Sequence, residues 1–241
     1  MKEKIDQDRI NELTEKIVEN YLRKKRQRPE DVICVDIEGI AAEYFGKDIV
    51  YERFAEKDPG RDAFTANGSR PLRVMRDGRP ADIVFPEGTI VLDMRFADQS
   101  EAVSRRFILA HEVGHEIYAK VSPGVPQGYY HTVFDTGRIY SPSELAEQMS
   151  VTEAQASRIG CALLLPRFLV EKTVKEVTGR TAVTVYGDYQ MLPGGSADLK
   201  RVADDLGVSS LMLIIRLRRL GLLEYRPIEE YFAALGMEVY D

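Results

Sequence analysis

The stretch that decides the fold is residues 105–118, RRFILAHEVGHEIY, in which two histidines stand four residues apart within an apolar segment. Residues at this spacing lie on the same face of an α-helix, one turn apart, so the imidazoles of His111 and His115 can bind one metal ion. The chain has three histidines among its 241 residues, and two of them fall in this pattern. The pattern therefore favours a metal site on a helix over two histidines that merely pack in the core.

Glu112 follows the first histidine and points beside the expected ion, not at it. The spacing H-E-x-x-H is typical of zinc peptidases, in which the metal lowers the pKa of a bound water towards about 7 and the glutamate takes its proton. Gly114 leaves room for another element to approach the helix closely. The motif therefore predicts hydrolysis at a zinc ion, with Glu112 as the catalytic base.

The composition indicates a cytoplasmic protein. Its 33 lysines and arginines and 39 aspartates and glutamates give a formal net charge of −6, which argues against general binding of nucleic acids or anionic membranes. The charged N-terminus lacks the apolar region of a secretory signal. The longest aliphatic run, residues 211–215, is far shorter than the roughly 20 residues that cross a bilayer. Cys34 and Cys161 are expected to be buried free thiols in a reducing compartment.

Upstream of the motif, helix and strand patterns alternate. They predict an amphipathic helix over residues 5–26, a short buried run at Val32, Ile33 and Val35, a helix over 37–45 capped by Asp36, and a strand over 49–54. Residues 57–70 are rich in turn formers and have no periodicity. They are therefore predicted to be irregular surface structure.

Strand patterns immediately precede the metal helix. Residues 72–76 and 81–85 flank Asp77-Gly78, a strong hairpin signal, and residues 88–93 form a third predicted strand. This third strand could present an open edge to an extended substrate; a plain buried or edge strand fits the sequence equally well. Ser100, just after Asp98, is predicted to cap the metal helix.

Residues 119–140 contain several prolines and glycines, so a helix cannot persist through them. His131 in this segment could stabilise a developing oxyanion, as His or Tyr near catalytic zinc can. The alternative is a partly exposed aromatic loop.

Catalytic zinc usually has three protein ligands and a water, so one more ligand is required. The candidates are His131, Asp135, Glu144, Glu147 and Glu153. Glu153 opens a strongly helical segment and leads narrowly. Its alternative role is structural, because Ser150 and Glu153 have the spacing of a capping box, in which the carboxylate binds a backbone N–H.

RRFILAHEVGHEIY, followed by EAQASRIGCALLLP at residues 153–166, resembles the two motifs of the ImmA/IrrE family of bacterial zinc metallopeptidases. The resemblance implies that His111 and His115 bind zinc, that Glu112 is the catalytic glutamate and that Glu153 is the third ligand. The second motif departs from the family pattern: Ser157 stands where Asn is usual, and Ile159-Gly160 where Phe-Ala is usual. The resemblance also implies a specific substrate, since characterised relatives cleave a cognate transcriptional repressor.

Residues 197–225 have the spacing of a helix-turn-helix, with Ser209 as the cap of the second helix. A DNA-reading helix would need polar side chains at its start, but residues 211–215 are Leu, Met, Leu, Ile and Ile, which we interpret as packing residues. Direct DNA binding is therefore less favoured than docking to the core or to a partner.

Together the patterns predict an α+β protein. Residues 1–195 are expected to form a zincin-like metallopeptidase core with a small mixed sheet packed on the H-E-x-x-H helix, and residues 196–241 a helical, helix-turn-helix-like module. The predicted function is a zinc endopeptidase with one zinc ion per chain, acting on a helix-turn-helix repressor. The alternative is a non-proteolytic, zinc-containing regulatory protein that binds DNA or a partner through the C-terminal module.

Overall fold

A computed structural model describes residues 4–55, 62–122 and 142–237, without the side chains of 142–150. The helices are α1 (Gln7–Lys25), α2 (Ile37–Gly39, continued by a π-helical turn over Ile40–Tyr44), α3 (Ala102–Val121), α4 (Pro142–Leu164), α5 (Arg167–Thr178), α6 (Pro193–Leu206), α7 (Ser210–Leu220) and α8 (Ile228–Ala234). The strands are β1 (Ile49–Glu52), β2 (Ala63–Thr65), β3 (Leu72–Arg76), β4 (Arg79–Ile83), β5 (Ile90–Asp93), β6 (Val183–Tyr186) and β7 (Leu223–Arg226). The mixture of helices and small sheets confirms the α+β class.

The helices α3 and α4 pack against each other at the centre of the core, and glycine sets how closely. A Cβ on Gly114 of α3 would lie 2.4 Å from the carbonyl oxygen of Ala156, and a Cβ on Gly160 of α4 would lie 2.7 Å from that of Ala110. Only glycine permits such an approach at either position. The room predicted beside Gly114 is therefore filled by the backbone of α4.

The N-terminal helix packs on this core, as its periodicity predicted. It begins at Gln7 because Asp6 caps it by accepting a hydrogen bond from the backbone. On its buried face, Tyr21 donates to Asp36 at 2.5 Å. Asp36 in turn accepts from the N–H of Gly39, which confirms it as the cap of α2.

The segment between α1 and α2 departs from the prediction. Val32 and Val35 are buried, but the Ile33 side chain is 69% exposed, so the predicted buried run is wrong at that position. Cys34 is also exposed, whereas Cys161 is buried. The buried-thiol prediction is therefore confirmed for Cys161 and wrong for Cys34. The sequence shows a run of apolar residues here, but not which of them face the core.

The first sheet has the strand order β1-β5-β2, with β5 parallel to β1 and antiparallel to β2. The predicted strand at 88–93 is therefore the central strand, with a neighbour on each side, and the prediction of an open edge there is wrong. Within the described residues, the outer strands of this sheet are β1 and β2, and the three residues of β2 are all buried. These residues lie in the segment predicted to be irregular. The sequence did not indicate a strand there because three residues are too few to show an alternating pattern.

The strands β3 and β4 form the predicted hairpin. Asp77 and Gly78 have φ values of 51° and 76°, as the two central residues of a type I′ turn require. The hairpin packs on the face of the first sheet that carries Phe64 and Val91, in a small second core. The opposite face, with Ile90 and Leu92, joins the main core around α3.

The start of α3 differs from the prediction. Asp98 accepts from the backbone N–H of Ser100 at 2.8 Å and so caps a 3-10 turn over Gln99–Glu101. Helix α3 begins after that turn, without a side-chain cap. The prediction that Ser100 caps the helix is wrong, because the Ser100 hydroxyl donates to Asp98 instead.

The C-terminal helices share the main core. Gly207 ends α6 in the left-handed conformation, and Ser209 caps α7 by accepting from the N–H of Met212, as predicted. The expected boundary between residues 195 and 196 falls within α6, and β7 pairs in parallel with β6. The fully buried Arg216 of α7 donates to the carbonyl of Leu165 at 2.8 Å and to Asn11 at 2.7 Å. These bonds tie α7 to the end of α4 and to α1.

The prediction that residues 211–215 all pack is wrong in part. Leu213 is buried, but Leu211 and Ile215 are 69% and 40% exposed. Within the described ranges, no helix combines the length and apolar character needed to cross a membrane.

Candidate metal centre

Helices α3 and α4 bring together three side chains that could hold a metal ion: His111, His115 and Glu153. His111 Nε2 lies 3.0 Å from His115 Nε2 and 3.0 Å from Glu153 Oε2. His115 Nε2 lies 3.4 Å from Glu153 Oε1. The two histidines are one turn apart on α3, as their spacing predicted, and Glu153 faces them from α4.

The spacing of these atoms is compatible with zinc. Three ligands bound tetrahedrally at 2.0–2.1 Å lie about 3.3 Å from one another, and the observed separations are 3.0, 3.0 and 3.4 Å. Two imidazoles and one carboxylate form a ligand set that zinc uses in catalytic sites. Glu153 is 40% exposed, so the group is open to solvent on its side.

The capping role considered for Glu153 is wrong. Helix α4 runs over Pro142–Leu164, so Ser150 and Glu153 lie inside it, where backbone N–H groups bond within the helix. Ser150 therefore starts no helix, and the Glu153 carboxylate is available to the histidines. The other predicted candidates cannot be compared with Glu153: His131 and Asp135 lie outside the described residues, as do the side chains of Glu144 and Glu147. The predicted oxyanion role of His131 therefore stays a prediction.

The charges within the group stabilise one another. Burial acts to raise the pKa of Glu153, but hydrogen bonds with His111 and His115 outweigh it and bring that pKa below its ordinary value. Burial acts to lower the pKa of His111, but the hydrogen bond with Glu153 and the charges of Glu112 and Glu153 leave it raised. Glu153 is therefore ionised at neutral pH, and a metal ion must compete with a proton for His111.

Ser157 supports His111 from α4. Its hydroxyl lies 3.2 Å from His111 Nδ1. When Nδ1–H donates to this oxygen, the lone pair on Nε2 points to His115 and Glu153, the arrangement a metal ligand needs. Serine at this position therefore reaches the histidine where the family pattern has asparagine.

Glu112 is buried beside the three ligands and does not belong to their group. Thr65 of β2 donates its hydroxyl to Glu112 Oε2 at 2.5 Å. This bond orients the carboxylate. The sequence interpretation missed Thr65, because it lies in the segment predicted to be irregular, and no local pattern connects it to a helix 47 residues away.

Glu116, next to the second histidine, is held by two lysines. Lys47 and Lys120 lie 3.0 and 3.1 Å from its carboxylate oxygens. Burial acts to raise the pKa of Glu116, but the hydrogen bonds with Lys47 and Lys120 outweigh it and leave the pKa lowered. These ion pairs anchor the C-terminal half of α3 without involving the three ligands.

Comparison with known proteins gives no relative. No family model matches the chain, and neither a curated protein nor a solved structure matches it. The resemblance in residues 105–118 and 153–166 therefore stays a prediction.

Proposed function

We propose that the protein is a zinc-dependent endopeptidase that hydrolyses a specific bacterial regulator, a helix-turn-helix transcriptional repressor. The observation that carries this proposal is the position of Glu112. It is a buried carboxylate next to a three-residue group able to hold a metal ion, but outside that group. A purely structural zinc site would close with a fourth ligand and would have no use for this carboxylate.

In the proposed reaction, His111, His115 and Glu153 would hold the ion. Bound zinc supplies a water of lowered pKa and polarises the peptide carbonyl. Glu112, whose carboxylate accepts a hydrogen bond from Thr65, would take a proton from the water as the water oxygen attacks the peptide carbonyl carbon. Glu112 then returns this proton to the leaving amine when the C–N bond breaks, which leaves the carboxylate unchanged at the end of the cycle.

The repressor substrate is proposed from the resemblance to the ImmA/IrrE family. The direct test incubates the purified, zinc-loaded protein with the repressor encoded beside its gene, with and without a chelator. We expect cleavage that the chelator abolishes and zinc restores, with about one zinc per chain.

The decisive variant is Glu112→Gln, which should retain zinc and lose cleavage because glutamine cannot accept the proton. Glu176→Gln, an exposed change on α5, is the matched control and should cleave normally. Cleavage by Glu112→Gln at the rate of the parent protein would rule out Glu112 as the base.

One observation favours the alternative, a non-proteolytic, zinc-containing regulatory protein that binds DNA or a protein partner. Helices α6 and α7 are joined through Gly207, and Ser209 caps α7, as in a helix-turn-helix. The discriminating measurement is the affinity for duplex DNA as a function of salt. Tight, salt-dependent binding without cleavage of the repressor would reverse the ranking of the two functions.

A further inference from the structure

An apolar groove opens between α3, α4 and α7. It encloses about 410 Å³, within the roughly 300–1,000 Å³ of typical ligand pockets. Its uncharged lining includes Phe107, Ala154, Ser157, Leu211, Met212 and Ile215. The second helix of the helix-turn-helix pair thus forms one wall of the groove.

The groove adjoins the metal ligands. Ser157, which lines it, lies 3.2 Å from His111 Nδ1. Phe107, also in the lining, has its ring centroid 6.2 Å from that of His111. Residues of an extended chain are about 3.3 Å apart, so a peptide bound at the metal ligands could place a neighbouring side chain in the groove.

The groove is rimmed by two arginines and by no carboxylate among its lining residues. Arg158 donates to neutral acceptors, the carbonyl of Ile5 at 3.1 Å and Gln7 Oε1 at 3.3 Å. Arg219 is exposed, and within the described ranges neither arginine forms an ion pair. Burial and the charge of Arg219 lower the pKa of Arg158, and the charge of Asp6 acts to raise it. An anionic group in the groove would be attracted by both arginines.

The exposed face of α7 fits a protein partner better than DNA. Leu211 and Ile215 project there at 69% and 40% exposure. Such side chains make no hydrogen bonds to base edges, but they gain free energy when a partner removes them from water.

We propose that this groove selects the substrate by binding a large apolar side chain whose neighbour in the sequence is Asp or Glu. The apolar lining takes the first side chain, and Arg158 and Arg219 take the carboxylate. This inference rests on the proposed peptidase function and adds the class of sequence that is recognised. It also gives α7 a role in recognising protein.

The experiment selects peptides from a random dodecamer phage library on the zinc-loaded Glu112→Gln protein, so that binding is measured without turnover. We expect enrichment of Leu, Ile, Met or Phe next to Asp or Glu. The same selection on a protein that also carries Arg219→Glu should lose this preference and favour Lys or Arg at the acidic position. For a purified acidic peptide, charge reversal should weaken binding by about tenfold.

Arg218→Glu is the matched control. Arg218 precedes Arg219 on α7 and is also exposed, but it does not line the groove. Its reversal should leave the selected sequences unchanged. Leu211→Ser should reduce the apolar preference with a melting temperature close to that of the parent protein, because the side chain is already in solvent.

Several results would overturn the proposal: no enriched sequence, the same sequences from Arg219→Glu as from the parent, or equal effects of Arg218→Glu and Arg219→Glu. If the parent protein is a dimer in solution and Leu211→Ser converts it to a monomer, the groove binds a second copy of the chain. That result would also overturn the proposal. The proposed function fails separately. The expected selection without cleavage of the repressor by the wild-type protein would support the groove and refute the peptidase. Cleavage of the repressor without the expected selection would support the peptidase and refute the groove.

Discussion

Replacement of Gly114 by alanine should weaken zinc binding more than it weakens the fold. The new Cβ would lie 2.4 Å from the carbonyl oxygen of Ala156, 3.1 Å from its carbonyl carbon and 3.2 Å from the backbone nitrogen of Gly160. All three are backbone atoms of α4, so no side-chain rotation relieves the clash. The two helices must move apart.

The size of this movement follows from the contact distance. Carbon and oxygen atoms in contact are separated by about 3.4 Å, so α3 and α4 must separate locally by about 1 Å. Overpacking of this kind lowers the free energy of unfolding by about 1–3 kcal/mol, and the better helix propensity of alanine offsets about 1 kcal/mol of that. The net decrease of about 0–2 kcal/mol lowers the melting temperature by several degrees at most.

The metal ligands tolerate less movement than the fold does. Ligand distances in a metal site hold to within about 0.2 Å, whereas a movement of about 1 Å would carry Glu153 away from His111 and His115. We expect zinc affinity to fall by at least the 10- to 100-fold that loss of a supporting contact costs.

The assay is competition for zinc with a chromophoric chelator, alongside thermal unfolding of the metal-free protein. Gly194→Ala is the control, because a Cβ at that helical position meets nothing within 4 Å; it should keep parental zinc affinity and unfold at the same or a slightly higher temperature. Parental zinc affinity in Gly114→Ala would show that the close approach of the helices does not position Glu153.

Three other experiments test separate parts of the structure. Thr65→Val removes the hydroxyl that orients Glu112, so repressor cleavage should slow on the order of tenfold at unchanged zinc content; recovery in Thr65→Ser would separate this effect from packing, and an unchanged rate would exclude the role. Glu116→Gln should cost about 1.5–3 kcal/mol at pH 7 in urea unfolding. Because the pKa of Glu116 is lower in the folded protein than in the unfolded chain, its contribution to stability is present above the unfolded pKa of about 4.5 and is lost as the pH falls through the folded pKa. The free energies of unfolding of parent and variant should therefore become equal in acid. A difference between them that does not change with pH would contradict the ion pairs. A thiol reagent should label the exposed Cys34 at once and the buried Cys161 only on unfolding, because burial shields the Cys161 thiol and raises its pKa. Rapid labelling of both thiols in the folded protein would contradict the burial of Cys161.

Local patterns were predictable where neighbouring residues decide the structure. The hairpin at Asp77-Gly78 depends on two adjacent positive φ angles, and the helix caps at Asp36 and Ser209 depend on residues within the next turn. Predictions failed where another element decides the outcome. Exposure of Ile33 depends on what covers each side of a short segment, which no sequence pattern in that segment records.

The metal centre shows the same division. The sequence by itself determined that His111 and His115 share one face of a helix with Glu112 beside them, because the α-helical repeat places residues four apart one above the other. Only the tertiary structure decided that Glu153 faces the histidines and that Thr65 holds Glu112. The first contact depends on how closely α4 approaches α3, which is set by backbone packing at Gly114 and Gly160. The second depends on the position of β2 against α3.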